Sequence, residues 1–214
     1  MMEIRKFVCN MLQENCYVVS DDTKECVIID CGAYYPEERA ALTRYIRDNG
    51  LQPRCLLATH GHLDHNFGNN TMAEEFGLKP VVSVADGSLM EHLGHQAETF
   101  YGMRLDYELP AVERFLEADE SIRFGNHELK VLETPGHSPG SVTYYCEQEK
   151  VAFTGDTLFK NSIGRTDFKG GSMMQIIQSL RMLAQLPDET AVMPGHGPQT
   201  TIAEELAHNP YMDR

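Results

Sequence analysis

Apolar residues recur along this chain in short runs bounded by turn formers, the signature of buried strands rather than long helices. Residues 16–20 and 25–30 are two such strands, joined by the turn-forming Asp21, Asp22, Thr23 and Lys24. Pro36 opens a helix that runs to about Asn49, where the Asn49-Gly50 pair stops it. Residues 55–59 read as a short buried strand, 66–76 as a helix, 81–84 as another strand and 85–100 as another helix. The second half is similar in pattern. Residues 127–132 alternate like a half-buried strand, and strands at 141–146 and 151–154 flank a turn at 147–150. Gly171 and Ser172 cap a helix to about Leu186, 191–193 is a short strand, and 202–208 a final helix. Strands with interspersed helices in both halves predict two sheets packed together and covered by helices. No sequence repeat establishes a duplication.

At 214 residues the chain is expected to form one domain, long enough to bury a substantial core without staples. A net charge of −14 excludes a basic footprint for nucleic acid and disfavours anionic membrane surfaces. An anionic substrate would need local positive charge against that field. The N-terminal residues contain no apolar run of signal-peptide length, and no stretch approaches the ~18 apolar residues of a membrane span. Six cysteines without a CxxC pair, several inside apolar runs, fit reduced and buried thiols in a cytoplasmic protein.

One segment changes the picture. His60, His62, Asp64 and His65 fall within a six-residue stretch of a chain that has 9 histidines in 214 residues. Imidazole and carboxylate are good ligands for zinc, iron and related metals. A lone histidine here would read as structural, but three together do not read as core. The predicted strand before them and helix after them place the cluster on a strand-to-helix turn.

Three further residues occupy comparable places. His137 lies in a Pro/Gly loop after a strand, Asp156 follows the run 151–155, and His196 lies in a second Pro/Gly loop after a strand. Polar residues at successive strand ends can converge at one edge of a sheet. Seven candidate ligands exceed one tetrahedral site and suit two metals with an open position for solvent. The donors fit zinc first, with iron or manganese also compatible. His92, His95, His127 and His208 lack such loops and read as structural.

At these residues the chain resembles the metallo-β-lactamase superfamily, whose dinuclear pattern is His60-x-His62-x-Asp64-His65 followed by His137, Asp156 and His196. The resemblance spans nearly the whole chain. It implies an α/β fold, a four-layer αββα sandwich in a single domain over residues 1–214, with metals at one edge of the sheets. It also implies that His60, His62 and His137 bind one metal, that Asp64, His65 and His196 bind a second, and that Asp156 bridges them. Asp30 matches a position that orders such ligands from behind.

Within that superfamily the chain is similar to glyoxalase II, which hydrolyses S-acylglutathione thioesters. Residues 155–159 and 162–167 are similar to a short group without the C-terminal helical domain of the longer enzymes. Arg165 stands where those carry Lys, and Asp167 where they carry Tyr. The resemblance therefore implies a small-molecule partner, an anionic thioester, with Arg165 binding its carboxylate. It implies hydrolysis by water that two metals activate, with Asp64 and Asp156 catalytic. Asp167 would repel an anion.

Two alternatives share the pattern: a persulfide dioxygenase holding one iron through His60, His137 and Asp156, and a hydrolase of another ester or lactone. A β-lactamase fits less well, because many of those enzymes have Cys at the Asp156 position. A noncatalytic metal-binding domain would be favoured by a lost ligand, and none is lost.

Overall fold

The parity of apolar positions decides the architecture. The computed structural model describes residues 1–117 and 119–213. The first sheet runs β1 (Glu3–Cys9), β2 (Glu14–Ser20), β3 (Glu25–Ile29), β4 (Gln52–Leu57), β5 (Pro80–Ser83) and β6 (Arg114–Leu116). β1 to β3 are antiparallel, and β3 to β6 are parallel. Parallel neighbours need crossovers. These are supplied by α1 (Pro36–Asp48), α2 (Asn69–Phe76), and the pair α3 (Gly87–Glu91) and α4 (Leu93–Tyr101).

The second sheet has the order β7 (Ser121–Phe124), β8 (His127–Glu133), β9 (Val142–Cys146), β10 (Val151–Gly155), then β13 (Ala191–Pro194) and β14 (Thr200–Thr201). β11 (Leu158–Phe159) and β12 (Ser162–Ile163) form a small hairpin after β10. The parallel β10–β13 pair is bridged by α5 (Met173–Leu183), and α6 (Ile202–His208) follows β14.

β2 is buried at every position, and its residues divide alternately. Tyr17 and Val19 enter the core between the sheets, with Val27, Ile29, Tyr144 and Phe153. Cys16 and Val18 face the other way, joining Cys26, Ile28, Leu42 and Ile46 beneath α1. The second sheet is covered in turn: Val192 packs with Leu180 and Leu183 of α5 and Ile202 of α6. This is the αββα sandwich the pattern implies, helices outside and two apolar sheet faces inside.

Some local expectations shift. The helix expected over 85–100 breaks into a 3-10 turn, α3 and α4, with His92 non-helical between them (φ −112°, ψ 21°). Gly87 and Gly94, poor helix formers, flank that break. The helix expected from residue 66 begins at Asn69, after a 3-10 turn at Leu63–His65. α5 stops at Leu183 rather than Leu186. β1 and β6 went unanticipated because both are edge strands, and charged Glu3, Arg5 and Lys6 interrupt the apolar pattern of β1. All six cysteines are free thiols, five of them buried and Cys55 partly so. No helix among the described residues is long and apolar enough to cross a membrane.

Tyr17 and Phe153 meet edge-to-face across the two sheets, 5.2 Å between ring centres. Truncating Phe153→Ala should lower unfolding stability by about 3–5 kcal/mol, read as an earlier midpoint in urea denaturation.

Candidate metal centre

Five loops that follow strands meet at one edge of the sandwich. Asp30 follows β3, the His60–His65 cluster follows β4, His137 follows β8, Asp156 follows β10 and His196 follows β13. Every one leaves the carboxyl end of its strand, the edge where open α/β sheets hold ligands. All seven expected ligand residues lie here, six of them buried and His196 partly exposed.

Their donor atoms fall into groups close enough to hold a cation. His60, His62 and His137 make one group, and Asp64, His65 and His196 another; the ligand atoms of each lie within 4.8 Å of one another. Asp156 stands between them. Its Oδ1 is 3.3 Å from His65 Nε2, and its Oδ2 is 3.5 Å from His137 Nε2 and 3.7 Å from His196 Nε2. Asp64 Oδ2 lies 3.3 Å from His196 Nε2 and 3.6 Å from His65 Nε2.

The buried atoms His60 Nε2, His65 Nε2 and Asp156 Oδ1 have no hydrogen-bond partner. Buried polar atoms are normally paired, so three unpaired donors aimed at one space fit a cation there. His62 Nδ1 and His137 Nε2 face each other at 2.8 Å, which directs both at the same small volume. The site is His-rich and able to bind metal.

On His60, His65, His137 and His196 the opposite ring nitrogen is held from behind, which fixes the ring. His137 Nδ1 bonds the Arg165 carbonyl at 2.7 Å, and His196 Nδ1 the Leu12 carbonyl at 3.1 Å. His65 Nδ1 bonds Asp30 Oδ2 at 3.0 Å. Asp30 also accepts from the Thr59 backbone N–H and hydroxyl, both at 2.7 Å, and that hydroxyl meets His60 Nδ1 at 3.0 Å. One carboxylate therefore positions rings of both groups. Asp30 achieves this at φ 53°, in the left-handed region that non-glycine residues seldom adopt. Gly195 is required for space: a Cβ there would fall 2.3 Å from Asp156 Oδ1.

Several supporting residues were invisible to motif reading. Asp86 joins the two histidine loops. Its Oδ2 accepts from the Gly61 N–H at 2.8 Å and the Ser138 hydroxyl at 2.6 Å, and its Oδ1 from the Gly140 N–H at 2.6 Å. Asn66 donates to the His60 and His62 carbonyls, and Gln96 accepts from the Leu63 N–H while donating to the Gly61 carbonyl. Asn15 and Tyr17 of β2 bond the Pro194 carbonyl, tying the His196 loop to the first sheet. Glu14 is fully buried beside His65, and burial pushes its carboxyl well above the usual range. In sequence, Asp86 looks like an ordinary acid at a helix start.

Burial pushes His60 well below its ordinary pKa, helped by His65, His62 and His137. Burial and His137 push His62 down to about 4. Both rings are therefore neutral and ready to bind metal at pH 7. Burial opposes charge on Asp156, but His65, His137 and His196 outweigh it and hold the carboxyl well below its usual range. Burial likewise opposes charge on His65, yet Asp156, Asp64 and Asp30 raise it well above its usual value. A cation settling between those carboxylates must displace the His65 proton.

Above the donors opens a cavity of about 540 Å³. His62, Asp64, His137, Asp156 and His196 form its floor, and its walls are largely aromatic, including Phe100, Tyr101, Phe159 and Phe168. Arg165 lines the cavity as expected, but its guanidinium is engaged by Asp167: Nε to Oδ1 at 2.6 Å and Nη2 to Oδ2 at 2.7 Å. Asp167 holds Arg165 rather than standing apart from it.

The sequence profile of the metallo-beta-lactamase superfamily matches residues 9–196. The chain is 36% identical to hydroxyacylglutathione hydrolase GloC of Haemophilus influenzae, over 99% of each chain. Among solved structures it is similar to the BLEG-1 B3 metallo-beta-lactamase, with a TM-score of 0.88 and 33% identity over 98% of this chain and 99% of that one. It is also similar to TTHA1623 in a di-iron-bound form, with a TM-score of 0.86 and 36% identity over 97% and 100%.

Two outcomes are expected. Metal affinity rises with pH through the neutral range, because the His65 proton must leave; calorimetry in buffers of different ionisation enthalpy should register its release. Asp86→Ala lowers metal affinity by about 10–100-fold, measured by competition with a chromogenic chelator, while circular dichroism stays native.

Proposed function

The chain belongs to the metallo-beta-lactamase superfamily and is a metallo-hydrolase of that family, and from that premise we propose that it cleaves thioesters with a two-metal centre. The observation that carries this reading is the position of Asp156 between two complete donor groups, beside a cavity large enough for an acyl chain. The full-length similarity to GloC supports the thioester.

On this reading His60, His62 and His137 would hold one divalent cation and Asp64, His65 and His196 a second, with Asp156 available to either group. The donors are nitrogen and oxygen only, compatible with zinc, iron or manganese. Bound cations would lower the pKa of water and polarise the scissile carbonyl. The protein's own groups do the rest. Leu12, Phe100, Phe159 and Phe168 receive the acyl chain against an apolar wall. Asp64, on the cavity floor, accepts the proton that water gives up. The leaving thiolate needs little help, since a thiol titrates near ~8.5. Asp30, Thr59 and Asp86 touch no substrate and keep the rings aimed.

A second reading, β-lactam hydrolysis, is favoured by the similarity to BLEG-1. The two separate in one experiment: protein loaded with zinc, iron or manganese is assayed on an acyl thioester and on a chromogenic cephalosporin. Thioester turnover well above cephalosporin turnover is expected, and the reverse order would replace the proposal. Oxygen uptake with glutathione persulfide would point instead to oxidation on one iron.

Chelation should abolish thioesterase activity, and metal addition restore it. Asp156→Asn should lower kcat/KM by about 100-fold or more. Full activity in that variant would remove Asp156 from the chemistry.

A further inference from the structure

The hydrolytic reading assigns no task to Tyr101. Among the described residues lining the cavity, it carries the only hydroxyl. Tyr101 is the last residue of α4, and Gly102 closes the helix behind it in the left-handed region, φ 62°. Its ring meets the buried Phe67 edge-on, 5.6 Å between centres, which restrains it. Gln96, earlier in the same helix, pins α4 to the histidine loop. It accepts from the Leu63 N–H and donates to the Gly61 and Leu89 carbonyls, each at 3.0 Å. Both amide hydrogens of Gln96 are therefore committed, whereas the Tyr101 hydroxyl is available to the cavity floor.

The carboxylate it reaches is Asp64. Burial lifts the hydroxyl above the ordinary phenol range, and the charge and hydrogen bond of Asp64 lift it further, with Asp156 adding to them. A phenol titrates near ~10 even when exposed, so the group is a donor throughout the neutral range. The neighbouring carboxylates show why a donor matters there. Asp30 is held by three donors, and so is Asp86. Asp64 Oδ2 is faced by His196 Nε2 at 3.3 Å and His65 Nε2 at 3.6 Å. Those ring atoms are the ones a cation takes. Once they bind metal they no longer hold the carboxylate, and the Tyr101 hydroxyl takes that task.

We propose that Tyr101 is a positioning residue whose hydroxyl donates to the Asp64 carboxylate and keeps it directed at the cation held with His65 and His196. The hydroxyl takes no part in bond cleavage and acts through Asp64 alone. The other donor group, His60, His62 and His137, consists of rings and needs no such donor. This inference rests on the two-cation reading above, and its test separates the two.

Tyr101→Phe removes one oxygen and keeps the ring on Phe67. Each donor group is isolated in turn by His62→Ala or His196→Ala. Zinc affinity of each chain, with and without Tyr101→Phe, is then measured by competition with a chromogenic chelator. In the His62→Ala background, where Asp64, His65 and His196 are intact, Tyr101→Phe should weaken zinc binding by about tenfold, the usual cost of losing a partner that orients a ligand. In the His196→Ala background the same change should alter affinity by less than about twofold, the additivity of uncoupled sites. With all ligands present and zinc saturating, Tyr101→Phe should lower kcat on an acyl thioester by about tenfold and leave KM unchanged. Unchanged affinity in the His62→Ala background, an equal loss in both backgrounds, or a change confined to KM overturns the inference. A native chain that binds only one zinc overturns the two-cation reading, and the inference with it.

Discussion

Burying carboxylates at the edge of a sandwich is the constraint on which this structure turns. Asp30, Asp64 and Asp156 are all largely buried, and an uncompensated buried charge would cost several kcal/mol. Asp30 is satisfied by three donors, two from Thr59 and one from His65. Asp64 and Asp156 face His65 and His196, with Asp156 Oδ1 left without a hydrogen bond. What balances that charge is positive charge held by the same histidines, a proton on His65 or a cation in its place. The left-handed backbone at Asp30 and the missing side chain at Gly195 are local concessions that let these groups converge. The two sheets supply the rigidity, since the strand ends that carry the donors are anchored by one shared apolar core.

The donor set was legible in sequence because four of its members are adjacent, and the other three sit in Pro/Gly loops or at the end of an apolar run. Periodicity also gave the buried strands, whose neighbours on both faces demand apolar side chains. It failed at the edges: β1 pairs on one side only and carries Glu3, Arg5 and Lys6. It failed again near His92, where one amphipathic segment divides into α3 and α4.

Asp86 shows the deeper limit. Its partners Gly61, Ser138 and Gly140 are separated from it by 25, 52 and 54 residues. No local pattern announces a carboxylate that staples two loops from different sheets. The same holds for the cavity wall, where Phe100, Phe159 and Phe168 come from a helix, a hairpin and a loop. Arg165 and Asp167 were conspicuous as residues, yet their pairing depends on side-chain geometry that spacing alone leaves open. The floor of the cavity is built from donors facing a common point, its wall largely from aromatic rings that pack on one another.

The central claim is that two cations share Asp156. Elemental analysis of protein purified without added metal tests it most directly, with the native chain compared against His196→Ala and Asp64→Ala. The account predicts two metals per native chain and one in either variant, because each substitution strips only one donor group. One iron per native chain, unchanged in both variants, would contradict it.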